Sequence, residues 1–187
     1  MDPWFEDFPF REHRAYVHST TLCNHLAHRF PGATRFELVL RRWMDSRVVF
    51  TPLTAANAAV AGVAKIDLGS QTLILGLDDD KAHPVTTRDS YDEDGIVRDA
   101  PLTEDGLICT GGAGTFYDRL IAANKALIAR QLAPGVKLIA AKIVTPGFPA
   151  DDVPFRLKLD SHVGTKIFKS GLWLGDVRQG EVVFYGE

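Results

Sequence analysis

Several stretches of the chain alternate apolar and polar side chains, which is the pattern of a strand with one buried face. Residues 35–41 form the first of these stretches, and residues 47–50 continue it or pair with it. Residues 64–68 and 73–77 alternate on either side of Gly69-Ser70. Two alternating runs around such a pair predict a β-hairpin.

The last third of the chain predicts four more strands. Residues 137–144 are apolar on both faces and suit a central strand, whereas residues 153–160 show the clearest period of two. Residues 164–174 and 181–185 supply the other two strands, with a turn expected at residues 178–180. This succession is typical of an antiparallel sheet.

A long helix is predicted over residues 113–132, with Gly111-Gly112 before it and Pro134-Gly135 after it. Its apolar residues recur at helical spacing and include Phe116, Leu120, Ala123 and Leu127. The apolar arc is wide, as expected of a helix that a sheet wraps.

Two shorter helices and one loop complete the prediction. Residues 24–29 suit a short helix ended by Pro31-Gly32, and Thr51-Pro52 suits the N-cap and first position of another helix reaching residue 61. Residues 78–106 are rich in Asp and Glu and poor in large apolar side chains. We expect them to form a long polar loop that acts as a solvated lid.

Composition narrows the classes of protein. The 187 residues are 45% hydrophobic and 24% charged, with a net charge of −3, so a polyanion partner such as nucleic acid is not expected. Two cysteines indicate a reducing cytoplasm, and no apolar run reaches the roughly 20 residues of a membrane span. We expect one soluble domain over residues 1–187, with residues 1–34 as an N-terminal extension and no internal repeat.

The order of these elements resembles the hot-dog superfamily, mainly over residues 107–187, whereas the earlier residues fit by topology only. Local motifs add to the resemblance. Gly111-Gly112 followed by Asp118 is similar to the opening of the central helix in acyl-CoA thioesterases of the phenylacetate-pathway type. The bend at Pro146-Gly147 and the strand Gly180-Glu181-Val182-Val183 are also similar to theirs. Thr110 stands where that family usually has histidine, and the spacing from the glycines to Asp118 is one residue shorter.

The resemblance implies an α+β hot-dog fold, in which a long central helix is wrapped by a curved antiparallel β-sheet. It also implies an acyl-thioester substrate, carried by CoA or an acyl-carrier protein, and no cofactor. One hot-dog sheet normally pairs with another to complete the groove. A homodimer or tetramer with active sites between subunits is therefore expected.

Thioester hydrolysis needs a polarised carbonyl and an activated water. Unpaired amides at a helix N-terminus could polarise the carbonyl at Gly111 and Gly112, and Asp118 could be the base or nucleophile. Thr110 suits an N-cap beside the substrate, and Tyr117 and Asn124 could line the groove. Turn formation, dipole stabilisation and packing are the structural alternatives for the same residues.

Two other functions stay open. His28-Arg29-Phe30-Pro31-Gly32 is similar to the His-Phe-Pro-Gly of hot-dog dehydratases, so His28 would matter in a dehydratase or hydratase of 3-hydroxyacyl thioesters. A non-catalytic acyl-binding protein would not need Asp118. His25 and His28 share a helix face with His13, His18 and Cys23 nearby, but no metal site is expected because no third ligand is specified.

Overall fold

The structure is a computed structural model that describes residues 1–56, 59–132 and 134–187. Its helices are α1 (Ser19–Arg29), α2 (Glu93–Val97) and α3 (Phe116–Gln131). Its strands are β1 (Trp4–Glu6), β2 (Phe10–Arg11), β3 (Arg35–Leu40), β4 (Ser46–Pro52), β5 (Gly62–Asp67), β6 (Thr72–Pro84), β7 (Arg88–Asp89), β8 (Leu102–Thr103), β9 (Gly106–Cys109), β10 (Leu138–Thr145), β11 (Phe155–Val163), β12 (Ile167–Leu174) and β13 (Val177–Gly186).

One large antiparallel sheet dominates the molecule. Its strand order is β1-β4-β6-β5-β3-β10-β13-β12-β11-β9-β8, while β2 and β7 form a small parallel pair apart from it. Helices α1 and α3 contact each other, and α2 contacts α3. No helix within the described ranges is long and apolar enough to cross a membrane.

The sheet consists of two units with the same order of elements. In each unit a helix is followed by four strands: α1 by β3 to β6, and α3 by β10 to β13. The first strand after each helix lies at the centre, where β3 and β10 pair antiparallel from Phe36 opposite Thr145 to Val39 opposite Lys142. The structure therefore contains a repeat that the sequence does not reveal, and the expected N-terminal extension supplies α1.

The two units differ in how their outer strands are arranged. In the second unit the last strand, β13, lies beside β10, and β12 and β11 follow outward as a meander. In the first unit β5 lies beside β3, with β6 next and β4 beyond it. The chain therefore passes from β4 across β6 to reach β5, so the repeat is approximate.

Helix α3 begins three residues later than its apolar pattern suggests. Thr115 is its N-cap, and its side chain and that of Asp118 satisfy each other's backbone amides in a capping box. The helix spans 16 residues, 11 of which are buried, including Phe116, Leu120, Ala123 and Leu127. The predicted buried helix is thus present but shorter than residues 113–132.

Two predicted segments are wrong in their type of structure. Thr51 and Pro52 end strand β4 opposite Gly76 and Leu75, so no helix begins there, and residues 57–58 of the proposed helix lie outside the described residues. Residues 78–84 extend β6 rather than open a loop. Their charges are compatible with a strand because Asp78 and Asp79 pair with Arg42.

Two further details of the prediction differ. The turn between β12 and β13 falls at Gly175-Asp176, where Gly175 has a φ of 58°, and residues 178–180 belong to β13. The rest of the expected acidic loop is divided among β7, α2, β8 and β9. Helix α1 is longer than the predicted residues 24–29, because its polar first turn carries no apolar period.

Gly147 makes the bend between β10 and β11 and cannot accept a side chain without strain. Its φ is 66°, and a Cβ there would lie 2.0 Å from the Ala33 carbonyl oxygen. We expect Gly147→Ala to lower the free energy of unfolding by about 2–4 kcal/mol in urea denaturation. Gly32→Ala is the matched control, since a Cβ there meets nothing within 4 Å. Equal losses in both variants would contradict the role of the bend.

Candidate active site

The sequence predicts catalytic residues at the start of α3. The helix, however, begins at Phe116, several residues after Gly111 and Gly112. Thr115 is the N-cap, so the N-cap prediction for Thr110 is wrong. Thr110, Gly111 and Gly112 lie exposed in the segment before the helix. Gly112 faces α2, because a Cβ added to it would lie 3.5 Å from the Ile96 carbonyl oxygen.

Asp118 is buried, and both of its carboxylate oxygens have protein partners. One oxygen accepts the Thr115 amide at 3.1 Å, and the other forms an ion pair with Arg11 Nη1 at 2.6 Å. Arg11 also donates to the Thr21 hydroxyl of α1 at 3.1 Å, so it links the first turns of the two helices. This carboxylate therefore holds the helices together as well as capping α3.

Two other donors at the start of α3 are also engaged. The Phe116 amide donates to Asp151 Oδ1 at 2.8 Å. Arg119 is fully buried and donates to the backbone carbonyls of Asp151 and Val153, which fixes the loop before β11 against the helix. A substrate carbonyl would have to displace Asp151 to use the Phe116 amide.

Tyr117 and Asn124 point into the core. The Tyr117 hydroxyl lies 2.9 Å from Thr145 Oγ1, and burial raises the pKa of this phenol well above its ordinary value. Asn124 accepts a hydrogen bond of 2.7 Å from Ser170, while its Nδ2 is buried with no hydrogen-bond partner in the described chain. Neither residue lines the cavity at the boundary of the two units.

That cavity, which we call the junction pocket, lies where α1 begins and where β3 and β10 meet. Its volume is about 180 Å³. The residues that line it and bear on its chemistry are His18, Ser19, Leu40, Trp43, Ile121 and Lys125. Both units contribute to its wall, as the resemblance implies for a hot-dog active site, but here they belong to one chain.

The start of α1 differs from the start of α3 because it is open. His18 is the N-cap, and its side chain makes no capping hydrogen bond. No hydrogen bond to the amides of Ser19 or Thr20 is found in the part of the chain that the structure describes. These amides lie at the positive end of the helix, and Ser19 lines the junction pocket, so its amide could bind a carbonyl oxygen there.

His18 is 3% exposed, and its Nδ1 lies 2.9 Å from the Thr20 hydroxyl. Burial lowers the pKa of this imidazole well below its ordinary range, and the positive charges of Lys125, Arg14 and Arg11 lower it further. His18 is therefore neutral at physiological pH. In the tautomer whose Nδ1–H donates to the Thr20 hydroxyl, Nε2 carries no hydrogen and can accept a proton.

Lys125 connects the pocket to α2. Burial lowers the pKa of its ammonium group, and Glu93 of α2 opposes that shift from 2.8 Å away. Glu93 also pairs with Arg14 Nη2 at 2.7 Å. Glu93 thus pairs with two cations, and Glu12 Oε2 lies 3.9 Å from Arg14 Nη1 as a second acidic neighbour.

The other histidines of the first helix lie elsewhere. His28 is exposed in the last turn of α1, away from the junction pocket, and His25 packs against Phe8 and Phe50 with Glu6 at 3.6 Å. The described residues contain no cluster of three side chains placed to hold a metal ion. Sequence reasoning missed His18 because Ser19-Thr20-Thr21 carries no apolar period, although a histidine followed by hydroxyl residues is compatible with a helix start.

Comparison with known proteins shows the fold. The chain is similar to a candidate thioesterase II from Thermobifida fusca YX, with a TM-score of 0.53 and 12% identity over 100% of this chain and 93% of that one. The dehydratase domain of RzxB from Pseudomonas fluorescens gives a TM-score of 0.51 and 11% identity over 98% of this chain and 92% of that one. No family model and no curated protein matches the sequence.

These two structures share the fold of the whole chain, including the first hundred residues. The chain therefore has the hot-dog fold found in thioesterases and dehydratases, which confirms the expectation from residues 107–187. At this level of identity the likeness extends to the fold alone. The side chains of the junction pocket therefore carry the evidence for the reaction.

Burial of neutral His18 makes stability depend on pH. The folded pKa lies below the unfolded value of about 6.5, so unfolding takes up a proton and stability falls as the pH drops below about 6.5. The slope contributed approaches about 1.4 kcal/mol per pH unit. We expect His18→Gln to lose stability less steeply than wild type between pH 7.5 and 5, as measured by urea denaturation. His13→Gln removes an exposed imidazole and serves as control; equal slopes for His18→Gln and wild type would contradict the prediction.

The Arg11–Asp118 ion pair predicts that a substitution at Asp118 lowers the stability of the protein. In Asp118→Asn the buried Arg11 guanidinium loses its counterion, so the free energy of unfolding should fall by about 3 kcal/mol. The matched control is Asp99→Asn on the exposed surface after α2, which should change it by less than about 0.5 kcal/mol. A loss below about 1 kcal/mol for Asp118→Asn would mean that the pair is not important for folding.

Proposed function

We propose that this protein hydrolyses an acyl thioester in the junction pocket. The observation that carries the proposal is a buried, neutral His18 at the open N-terminus of α1, inside a cavity lined by both units. An electrophilic helix end and a base beside it are the two groups that thioester hydrolysis needs.

The proposed reaction uses these groups in turn. The amide of Ser19, which lines the pocket, binds the thioester carbonyl oxygen, and such a donor stabilises the oxyanion by about 3–4 kcal/mol where it has been measured. His18 Nε2 takes a proton from the attacking water while the carbon–oxygen bond forms. The carbon–sulfur bond then breaks, and the imidazolium returns its proton to the departing thiolate. The products are a carboxylic acid and a free thiol.

The charges around His18 favour the second proton transfer. Lys125, Arg14 and Arg11 all act to lower its pKa, so an imidazolium there is destabilised and readily gives up its proton. A thiolate has an ordinary pKa of about 8.5 and is an adequate acceptor. His18 can therefore be both the base and the acid of the cycle.

Hydrolysis fits the pocket better than dehydration. Removing water from a 3-hydroxyacyl thioester requires a base for the carbon acid and an acid for the departing hydroxyl, and a carboxyl group beside the histidine would suit the second role. Among the lining side chains within the described residues, Glu187 alone has a carboxyl group, and it pairs with Lys137 at 2.7 Å. The exposed His28 lies too far from the pocket to supply the missing group.

The volume of the pocket also limits the size of the acyl group. A volume of about 180 Å³ is below the roughly 300–1,000 Å³ typical of pockets for drug-sized ligands. We therefore expect short acyl groups to be preferred over long ones. Because both units belong to one chain, the proposed reaction needs no residue from a second copy, although a cytoplasmic homo-oligomer stays our expectation from the resemblance.

The start of α3 is the alternative position for the same reaction. There Asp118 would be the base, and Gly111 and Gly112 would bind the thioester carbonyl. The neighbouring Thr110, Tyr117 and Asn124 would contact the acyl group. This alternative requires Asp118 to be released from Arg11, which it pairs with at 2.6 Å.

A free-thiol assay over acetyl-, butyryl-, phenylacetyl- and palmitoyl-CoA tests the proposal. Wild type should release CoA, with the short acyl groups fastest, and His18→Gln should lower kcat by at least a hundredfold with little change in KM. His13→Gln is the control and should retain wild-type activity.

The comparison with Asp118→Asn separates the two positions. We expect this variant, assayed at a temperature where it is folded, to keep most of its activity. A hundredfold loss in Asp118→Asn together with an active His18→Gln would move the reaction to α3. If wild type releases no thiol from any substrate, the proposed function fails, and conversion of a 3-hydroxyacyl-CoA to its enoyl product would be tested next.

A further inference from the structure

Lys125 brings an amine to the wall of the junction pocket, and the proposed hydrolysis does not use this amine as a nucleophile. Lys125 lies in the middle of α3 and lines the cavity together with Ser19, whose amide binds the thioester carbonyl in the proposed reaction. The cavity has a volume of about 180 Å³, so its walls are close together. An acyl carbon held at the start of α1 therefore lies in the same small space that Lys125 borders.

We propose that Lys125 accepts the acyl group of a bound thioester and becomes an N-acyl-lysine. The proposal rests on the proposed function, because it assumes that the thioester lies in the junction pocket. It makes Lys125 a site of covalent self-modification, for which the thioester is the acyl donor. The reaction needs no second enzyme, because donor and acceptor meet in one cavity.

The surroundings of the Lys125 amine suit this transfer. The side chain is 19% exposed; its Nζ lies 2.8 Å from Glu93 Oε1 and donates to Glu93 Oε2 at 3.1 Å. The Glu93 side chain is 21% exposed, so the pair is largely shielded from water. Glu93 therefore holds the nitrogen at the cavity wall and can accept the proton that the ammonium group must lose before it attacks.

Lys125 loses its proton more readily than a lysine in water. Burial lowers the pKa of its ammonium group, Glu93 acts against this shift, and the positive charge of Arg14 adds to it. The pKa of His18 is lowered first by burial and then by the charge of Lys125, which indicates that the ammonium group lies near the proposed base. The free amine is therefore close to the reacting carbonyl and more abundant than the free amine of a solvated lysine.

The transfer conserves atoms and charge. Glu93 takes one proton from the ammonium group, and the free amine attacks the thioester carbon. The carbon–nitrogen bond forms, the carbon–sulfur bond breaks, and the departing thiolate takes a second proton from the nitrogen. The products are an amide on Lys125, a free thiol and one proton that passes from Glu93 to solvent.

Acylation of Lys125 stops hydrolysis in the same pocket. The amide is uncharged, and its acyl group occupies part of a cavity of about 180 Å³. Protein that is fully acylated at Lys125 should therefore show kcat/KM at least tenfold below that of unmodified protein in the free-thiol assay. Full activity of the acylated protein would place the amine outside the junction pocket and overturn the proposal.

Incubation with acetyl-CoA, followed by proteolysis and mass spectrometry, tests the modification itself. Lys158 and Lys166 are exposed and serve as internal controls. In folded protein Lys125 should be acetylated at least tenfold faster than either control, and in protein unfolded with urea all three should react at similar rates. Acetylation of Lys125 no faster than that of the two exposed lysines in folded protein would overturn the proposal.

Leu40→Trp tests whether the acyl donor is bound in the junction pocket. Leu40 lines the cavity and is partly exposed, so an indole there fills the space without removing a reacting group. In protein shown to be folded by circular dichroism, acetylation of Lys125 should fall at least tenfold while that of Lys166 stays unchanged. Unchanged acetylation of Lys125 would overturn the proposal.

Val39→Trp is the matched control for this substitution. Val39 is the neighbouring residue of β3, and its side chain lies on the opposite face of the strand, outside the residues that line the cavity. This variant should acetylate Lys125 at the wild-type rate. An equal loss in Val39→Trp and Leu40→Trp would mean that the effect comes from the strand and not from the pocket, which would also overturn the proposal.

His18→Gln separates this proposal from the proposed function. The variant lacks the base that activates water but keeps Lys125 and Glu93, so it should acetylate Lys125 at least as fast as wild type. Selective acetylation of Lys125 in wild type without thiol release beyond a single turnover would support the acceptor site and refute hydrolysis. Sustained thiol release with Lys125 acetylated no faster than Lys166 would refute the acceptor site alone.

Discussion

The antiparallel pairing of β3 with β10 is the interaction on which the rest of the structure depends. Each strand directly follows its unit's helix, so pairing them joins the two units into one sheet and brings α1 and α3 into contact. The junction pocket exists because this seam has a sheet on one side and the start of a helix on the other. Without the pairing, each unit would expose an apolar edge and half a cavity.

The electrostatics of the two helix starts differ although their positions are equivalent. At α3, Asp151, Thr115 and Asp118 accept hydrogen bonds from the amides of Phe116, Asp118 and Thr115, and Arg11 neutralises the carboxylate. At α1, a histidine occupies the N-cap position and makes no capping bond. The capping contacts stabilise α3 and close it to ligands, whereas the open end of α1 is less stable by itself and free to bind a carbonyl.

Local patterns in the sequence predicted the local parts of the fold. The strands β3, β5 and β11 follow from alternation, and α3 follows from apolar residues at helical spacing, because burial of one face fixes those patterns. The strand at residues 78–84 was not predicted because Asp78 and Asp79 are neutralised by Arg42, which lies distant in sequence. The repeat was hidden because the two units share geometry while their side chains differ.

The site was less predictable than the fold for a related reason. His18 becomes a candidate site residue only through its burial and through the amides beside it, and neither is visible in the residues Ser19-Thr20-Thr21 that follow it. Asp118 was identifiable as a carboxylate near a helix start. Its partner Arg11 is more than a hundred residues away in sequence, however, so the sequence could not show that the pair stabilises the fold.

Two units in one chain can change independently of each other, whereas the two subunits of a dimer of identical chains cannot. There, every substitution appears twice, so a residue that closes one helix start closes both. Here Asp151 can seal α3 while His18 leaves α1 open, and each helix start can diverge by itself. In the proposed function, one helix start therefore stabilises the fold and the other carries the chemistry, with one open helix start per sheet.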